Sequence, residues 1–302
     1  MTSETLARPE LGDVVVGVDG SSAARTAALW AAAEADQRGR TLRLVHAIDT
    51  HRHAHIASAE MLDSVREAGG ELLSSTSRAV HQSFPDLAVT TELSRHEAVS
   101  GLRECAGRNG TIVVGHRGLG GFSTLMLGSV GLGVAAHTEV PVIVVRGERE
   151  RPESGSVTAA VSGRKDLGWL LIAAAEADAR KAVLRLVSVW NVLGQVGTVA
   201  TMLDDLDDIA HSRVLELKEL ADRVRDLYPG LIVSHHVETG TSAPGIIVDA
   251  STDTDLVVMG RGHKRHWGVG PSLGRVAHSL IHHAHCPVEI VPPAFASGDE
   301  SS

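Results

Sequence analysis

The feature that most constrains this chain is an internal repeat. Matching blocks recur in the same order in the two halves of the 302-residue sequence. The buried-strand pattern at Val14–Val18, for example, returns at Val157–Val161. The offset between matching blocks runs from 142 residues (Leu42 to Leu184) to 146 residues (Val140 to Cys286). Because chance matches would not keep order and spacing in this way, the sequence indicates a duplication.

The repeat sets the domain organisation. A chain of this length is expected to contain about two domains of roughly 100–200 residues each. We predict one domain at residues 12–147 and a second at residues 156–292. The segment between them, RGERERPESGS at residues 146–156, is charged and rich in Pro, Gly and Ser, as a linker is.

Each copy alternates predicted strands with predicted helices. Continuous β-branched runs such as Val14–Val18 are typical of strands buried on both faces of a parallel sheet. Ser21 or Ser22 can cap the first helix, which runs to about Arg38 before Gly39. Further strands are predicted at Leu42–Ile48, Ala88–Leu93, Thr111–Gly115 and Val140–Val145, and further helices at about 57–83, 97–106 and 129–138. The order requires crossover connections, so we predict α/β architecture: two tandem doubly wound, five-stranded parallel-sheet domains, Rossmann-like in topology.

A glycine-rich loop after the fourth strand carries the main chemical signal. Doubly wound sheets bind ligands beyond the carboxyl ends of their strands, here after Val18, Ala47 and Val114. Gly115, Gly118, Gly120 and Gly121 fall within seven residues, and Gly128-Ser129 opens the next helix. Glycines allow backbone amides to approach phosphate, and the helix dipole points its positive end at the same anion. Arg117 either adds charge there or faces solvent.

Two other nucleotide motifs are excluded. A Walker loop needs Gly-Lys-Ser/Thr, and the first half contains no lysine. The dinucleotide fingerprint belongs after the first strand, where Asp19-Gly20-Ser21-Ser22 stands instead.

With these residues the chain resembles the universal stress protein family in its tandem-domain form. Gly115, Gly118, Gly128 and Ser129 match the family's ATP motif, G-x2-G-x9-G-S/T, and Asp19 matches its first-strand aspartate. The resemblance implies a nucleotide α-hydrolase-like fold, ATP with or without Mg²⁺, and homodimers formed partly through the last strands. It implies cofactor contacts from Gly17, Asp19, Ala47, Gly115, Arg117, Gly118, Gly120, Gly121, Gly128, Ser129 and Val130.

The second copy departs from that motif. Ser162 stands in the place of Asp19, and His263 in the place of the second motif glycine unless Gly262 substitutes by a one-residue shift. Arg275 replaces Ser129, where it either blocks the phosphate or binds it as a guanidinium fork. We therefore predict one ATP per chain, held in the first domain.

Composition narrows the function further. The net charge of −9 disfavours nucleic acid as a partner, and no apolar run reaches the roughly 18 residues of a membrane helix. Two cysteines, one in each half, suit a reducing cytoplasm. The histidine groups His51/His53/His55 and His278/His282 lack further ligands at metal spacing, so we expect no metal site.

The expected function is an ATP-binding regulator of the stress response without catalytic machinery, and so not an enzyme. H-E-x-x-H does not occur in the sequence, and the one G-x-S-x-G match, Gly270–Gly274, does not directly follow a predicted strand as a nucleophile elbow does. Two alternatives remain open: a nucleotide-free interaction or assembly module, and a slow ATPase. The interaction module predicts no bound nucleotide, whereas the expected regulator predicts that ATP is bound. Turnover of ATP would distinguish the slow ATPase from the regulator.

Overall fold

The computed structural model describes residues 7–49, 58–118, 128–146, 153–190, 203–262, 273–293 and 295. The described residues from 10 to 146 form one compact unit, called the first domain here. Those from 153 onward form another, the second domain, and residues 7–9 belong to it. The repeat and the linker do not foretell that the N-terminal residues pack with the second domain.

The first domain is a parallel sheet with strand order β3-β2-β1-β4-β5. Helices α1 and α2 contact each other, as do α3 and α4. The elements are β1 (Val14–Gly17), α1 (Ser22–Arg38), β2 (Leu42–Ala47), α2 (Ala59–Ser83), β3 (Val89–Ser94), α3 (Ala98–Ala106), β4 (Thr111–Gly115), α4 (Ser129–His137) and β5 (Val142–Val145).

The second domain repeats this plan with strand order β8-β7-β6-β9-β10, again parallel. Two short 3₁₀ turns, Arg164–Asp166 and Ser251–Asp253, precede α5 and β9. The elements are β6 (Ser156–Ala160), α5 (Leu167–Ala179), β7 (Val183–Trp190), α6 (Leu203–Leu227), β8 (Val233–Thr239), α7 (Ala243–Ala250), β9 (Leu256–Gly260), α8 (Arg275–His283) and β10 (Val288–Val291).

Local sequence explains where the first helix lies. The Ser21 hydroxyl accepts a hydrogen bond from the Ala24 amide and so caps α1, and Gly39 ends the helix in the left-handed conformation at φ 60°. Along α1 a face of alanines is fully buried, and the helix packs against β1 and β4. Small side chains let the helix approach the sheet closely, which suits a chain with few aromatic residues.

The Gly69-Gly70 pair lies inside α2 without breaking it. A Cβ atom at Gly69 would come within 2.7 Å of Leu93 Cδ1 and 3.0 Å of His46 Cδ2. Gly69 therefore allows α2 to lie close against β2 and β3, and this close packing accounts for a residue that otherwise weakens helices.

A buried ion pair recurs in the two copies. Arg38 Nε donates to Glu34 Oε1 at 2.6 Å, and Arg38 also donates to the Thr111 hydroxyl at 3.0 Å. In the second domain Arg180 pairs with Glu176 at the same helical spacing. Both carboxylates are buried, so the first helix of each domain holds an ion pair in the interior.

Candidate functional site

The candidate site of the first domain lies beyond the carboxyl ends of β1, β2 and β4. Parallel register aligns Gly17 with Val45 and Gly115 with Val145, so the loops that follow these strands emerge at the same edge of the sheet. This is the edge at which doubly wound sheets bind ligands. His46 in β2 links this edge to the loop after β1, because its ring nitrogen Nδ1 lies 2.7 Å from the Val18 carbonyl oxygen.

The loop after β1 meets the loop after β4 at Asp19. The Asp19 Oδ1 atom accepts a hydrogen bond from the Ser21 amide at 2.9 Å. A Cβ atom at Gly118 would lie 2.5 Å from Asp19 Oδ2, closer than any side chain tolerates. A side chain at Gly118 would therefore push the Asp19 carboxylate aside.

The second and third glycines of the motif also converge. The Gly128 amide donates to the His116 carbonyl at 3.1 Å, and a Cβ atom at Gly128 would stand 3.7 Å from the Gly118 nitrogen. Gly128 is the N-cap of α4 and makes no side-chain cap bond. The first amides of a helix have no intrahelical acceptor, so Ser129 and Val130, both exposed, offer their N–H groups at the positive end of the dipole.

Two of the predicted contact residues have a packing role. A Cβ atom at Gly115 would come within 2.8 Å of the Ala23 backbone, and one at Gly17 within 3.2 Å of the Leu102 side chain. These glycines let α1 and α3 approach the strand ends. Ala47, half-buried, ends β2, whereas Gly120 and Gly121 lie outside the described residues.

Basic groups surround the same loop. Burial lowers the pKa of His116, and the nearby Arg146 and Arg117 guanidinium groups lower it further. Burial and Arg117 likewise lower the pKa of Arg146. The guanidinium groups of Arg117 and Arg146 are thus held close to each other next to His116, an arrangement that an anion would stabilise. Arg117 itself is exposed.

Comparison with known proteins decides the family. The model of the universal stress protein family matches residues 11–146 and 166–292. The chain belongs to the universal stress protein family. This confirms the predicted family and the predicted fold class of two tandem α/β domains with parallel sheets.

Individual universal stress proteins resemble the chain along most of its length. Universal stress protein Rv2624c of Mycobacterium tuberculosis H37Rv is 28% identical over 294 residues, covering 94% of this chain and 97% of that protein. Universal stress protein Rv2028c of the same strain is 32% identical over 271 residues, covering 82% and 96%. A crystal structure of a universal stress protein from Archaeoglobus fulgidus superposes with a TM-score of 0.66 at 15% identity, covering 93% of this chain and 98% of that one.

The corresponding site of the second universal stress domain is built differently. Ser162 occupies the position of Asp19, and Asp166 supplies a carboxylate from four residues further along. Its Oδ2 atom accepts hydrogen bonds from the Ser162 amide at 2.6 Å, the Ser162 hydroxyl at 2.7 Å and the Gly163 amide at 3.2 Å. The donors of this loop are therefore already occupied by an internal anion, which the repeat alignment does not reveal.

The ends of β9 and α8 also differ from their first-domain counterparts. A Cβ atom at Gly260 would meet the Trp169 indole at 2.6 Å, where the matching Gly115 meets only helix backbone. Gly274 caps α8 as Gly128 caps α4, and Arg275 is the first helical residue and exposed. His263 lies outside the described residues.

In the part of the chain that the structure describes, no group of three His, Cys, Asp or Glu side chains is placed to hold a metal ion. Among the same residues no helix combines the length and apolarity needed to cross a bilayer.

Proposed function

We propose that this universal stress protein binds ATP in its first domain and acts as a regulator of the stress response without turning the nucleotide over. One observation carries the proposal: Asp19, Gly118 and the N-cap Gly128 converge on one small cradle. A side chain added at either glycine would fill that cradle, by contact with Asp19 at 2.5 Å or with the Gly118 nitrogen at 3.7 Å.

The cradle suits a polyphosphate for three reasons. The first amides of α4 present hydrogen-bond donors, and the helix dipole adds positive potential. The guanidinium groups of Arg117 and Arg146 add further positive charge at the adjacent strand ends. Phosphate accepts hydrogen bonds from both kinds of donor. In this proposal the end of β2 at Ala47 meets the adenine base and Asp19 lies at the mouth of the nucleotide pocket, as the family resemblance implies.

A matched pair of variants tests the proposal. Gly128→Ala and Gly274→Ala place the same methyl group at the N-cap of α4 and of α8, in nearly the same backbone conformation (φ −70°, ψ 155° and φ −62°, ψ 161°). At Gly128 the methyl group would lie 3.7 Å from the Gly118 nitrogen, an ordinary contact distance, so the domain should tolerate it. The methyl group would nevertheless cover the Gly118 amide that the proposal assigns to phosphate.

Titration calorimetry of the full chain with ATP should therefore find about tenfold weaker binding, or worse, in Gly128→Ala, the effect of losing a charge-assisted hydrogen bond. Gly274→Ala should bind like the parent chain. Equal losses in both variants, or no heat of binding in the parent chain, would refute the proposal and favour a nucleotide-free interaction module. Phosphate release from ATP would instead identify a slow ATPase.

A further inference from the structure

A large cavity lies at the strand ends of the second domain. It has a volume of about 1270 Å³ and is bounded by the carboxyl ends of β6, β7, β9 and β10 and by the first turns of α5 and α8. Ligand pockets for small organic molecules are commonly about 300–1,000 Å³. The cavity is therefore large enough to admit such a molecule, and the function proposed for the first domain makes no use of it.

The walls of this second-domain cavity are rich in apolar rings and chains. Trp169, Trp190, Ile247, Met259 and Phe295 line it. The Trp169 indole covers the last residue of β9 at 2.6 Å from the Cβ position of Gly260, so an apolar ring occupies the place where the first domain has bare backbone. The half-buried Trp190 indole provides a flat surface on which an aromatic body can stack, whereas Trp169 is only 6% exposed and closes one wall.

The charges that line the cavity are mostly positive. Among the described lining residues the basic ones are Arg8, Lys165, Arg213, Arg261 and Arg275, and the acidic one is Asp166.

Asp166 is held by three hydrogen-bond donors from Ser162 and Gly163 at its Oδ2 atom, and its single negative charge is outnumbered by the basic lining residues. Arg8 is directed elsewhere: its Nε donates to the Leu227 carbonyl and its guanidinium lies 4.3 Å from the Tyr228 ring centroid. Arg275 is exposed and forms no ion pair with any described carboxylate. It also begins α8, whose first amides add to the positive potential.

We propose that the second-domain cavity binds a small organic anion with a flat apolar body, such as an aromatic carboxylate or sulfonate, and not a nucleoside triphosphate. The apolar body would lie against Trp190, and the acid group would pair with Arg275. The backbone amides of Ser162 and Gly163, which a ribose or a phosphate could otherwise use, already donate to Asp166.

Fluorescence titration with anilinonaphthalene sulfonate, an aromatic sulfonate, tests the proposal on the full chain. Saturating ATP is present throughout, so that a nucleotide site in the first domain is filled. We expect one saturable site for the probe. The variant Arg275→Glu should weaken it by about tenfold, because it replaces an ionic hydrogen bond with repulsion. Glu is well tolerated in the first turn of a helix, so α8 should remain folded.

Two further variants complete the test. Arg223→Glu makes the same charge change at an exposed position of α6 outside the cavity, and it should leave probe binding unchanged. Trp190→Ala should weaken probe binding severalfold, whereas Trp190→Phe should largely preserve it. The absence of a saturable site in the presence of ATP, or equal effects of Arg275→Glu and Arg223→Glu, would each overturn the proposal. ATP binding, followed separately by calorimetry, reports on the first domain whichever result is obtained.

Discussion

The buried pair in α1 allows a stability change to be predicted from the structure. Arg38 and Glu34 have side chains only 3% and 2% exposed, and their atoms are 2.6 Å apart. Removing one partner of a buried ion pair costs about 3–5 kcal/mol, because the other charge remains in the interior without its partner. We therefore expect Glu34→Ala to destabilise the first domain by about 3 kcal/mol or more.

The control for this variant is an exposed ion pair in the same domain. Asp63 pairs with Arg66 at 2.7 Å, but their side chains are 72% and 41% exposed. Exposed pairs contribute about 0–1 kcal/mol, so Asp63→Ala should change stability by less than 1 kcal/mol.

Hydrogen–deuterium exchange of the full chain measures both variants, because the slowest amides of β1 and β4 report the opening of the first domain. A loss of about 3 kcal/mol accelerates their exchange about 100-fold. Acceleration of less than about fivefold in Glu34→Ala, or equal effects of the two variants, would show that the pair contributes no more than a surface contact.

Three further predictions concern binding and titration. Gly118→Val should abolish ATP binding in a chain that remains folded by circular dichroism, because its side chain displaces the Asp19 carboxylate; unchanged affinity in calorimetry would contradict this. Tyr228 is the one tyrosine of the chain, and burial raises its pKa to about 12, so the absorbance change of its phenol should have a midpoint near pH 12. The stability that the neutral phenol contributes should be lost as pH rises from about 10 to 12. A midpoint near pH 10 in the folded chain would show that the phenol is not buried. Burial acts to raise the pKa of Glu97, but hydrogen bonds from the Ser100 hydroxyl and from the Ser100 and Val99 amides outweigh burial and lower that pKa. NMR titration should therefore place the midpoint below 4.5, and the stability that the Glu97 cap contributes should be lost as pH falls through that midpoint. A midpoint above 4.5 would contradict the cap.

The parts of the fold that were predictable from sequence depend on local signals. The β-branched run at Val14–Val18 and the Ser21 cap are short-range patterns, and the structure has β1 and α1 there. The position of Gly118 opposite Asp19 was also within reach, because parallel strands bring their carboxyl ends to one edge of the sheet. These features follow from residues close in sequence or from strand order.

The parts that sequence did not foretell depend on tertiary contacts. Nothing in the pattern shows that Gly17 serves the packing of Leu102, since a glycine near a ligand and a glycine near a helix look alike. Trp169 packs over Gly260, 91 positions away in the sequence. Arg8 lies over the Tyr228 ring, 220 positions away. A repeat alignment identifies equivalent positions, but it does not show which side chains turn toward a cavity.

Native mass spectrometry of the intact chain titrated with ATP tests the central claim most directly. We expect a single added mass of one ATP per chain, because the glycine cradle lies in the first domain and the second domain replaces it with Asp166, Trp169 and Arg275. In Gly128→Ala the added mass should need about tenfold more ATP to appear, whereas Gly274→Ala should behave like the parent chain. Two ATP molecules per chain, or one that is lost in Gly274→Ala and kept in Gly128→Ala, would contradict the account.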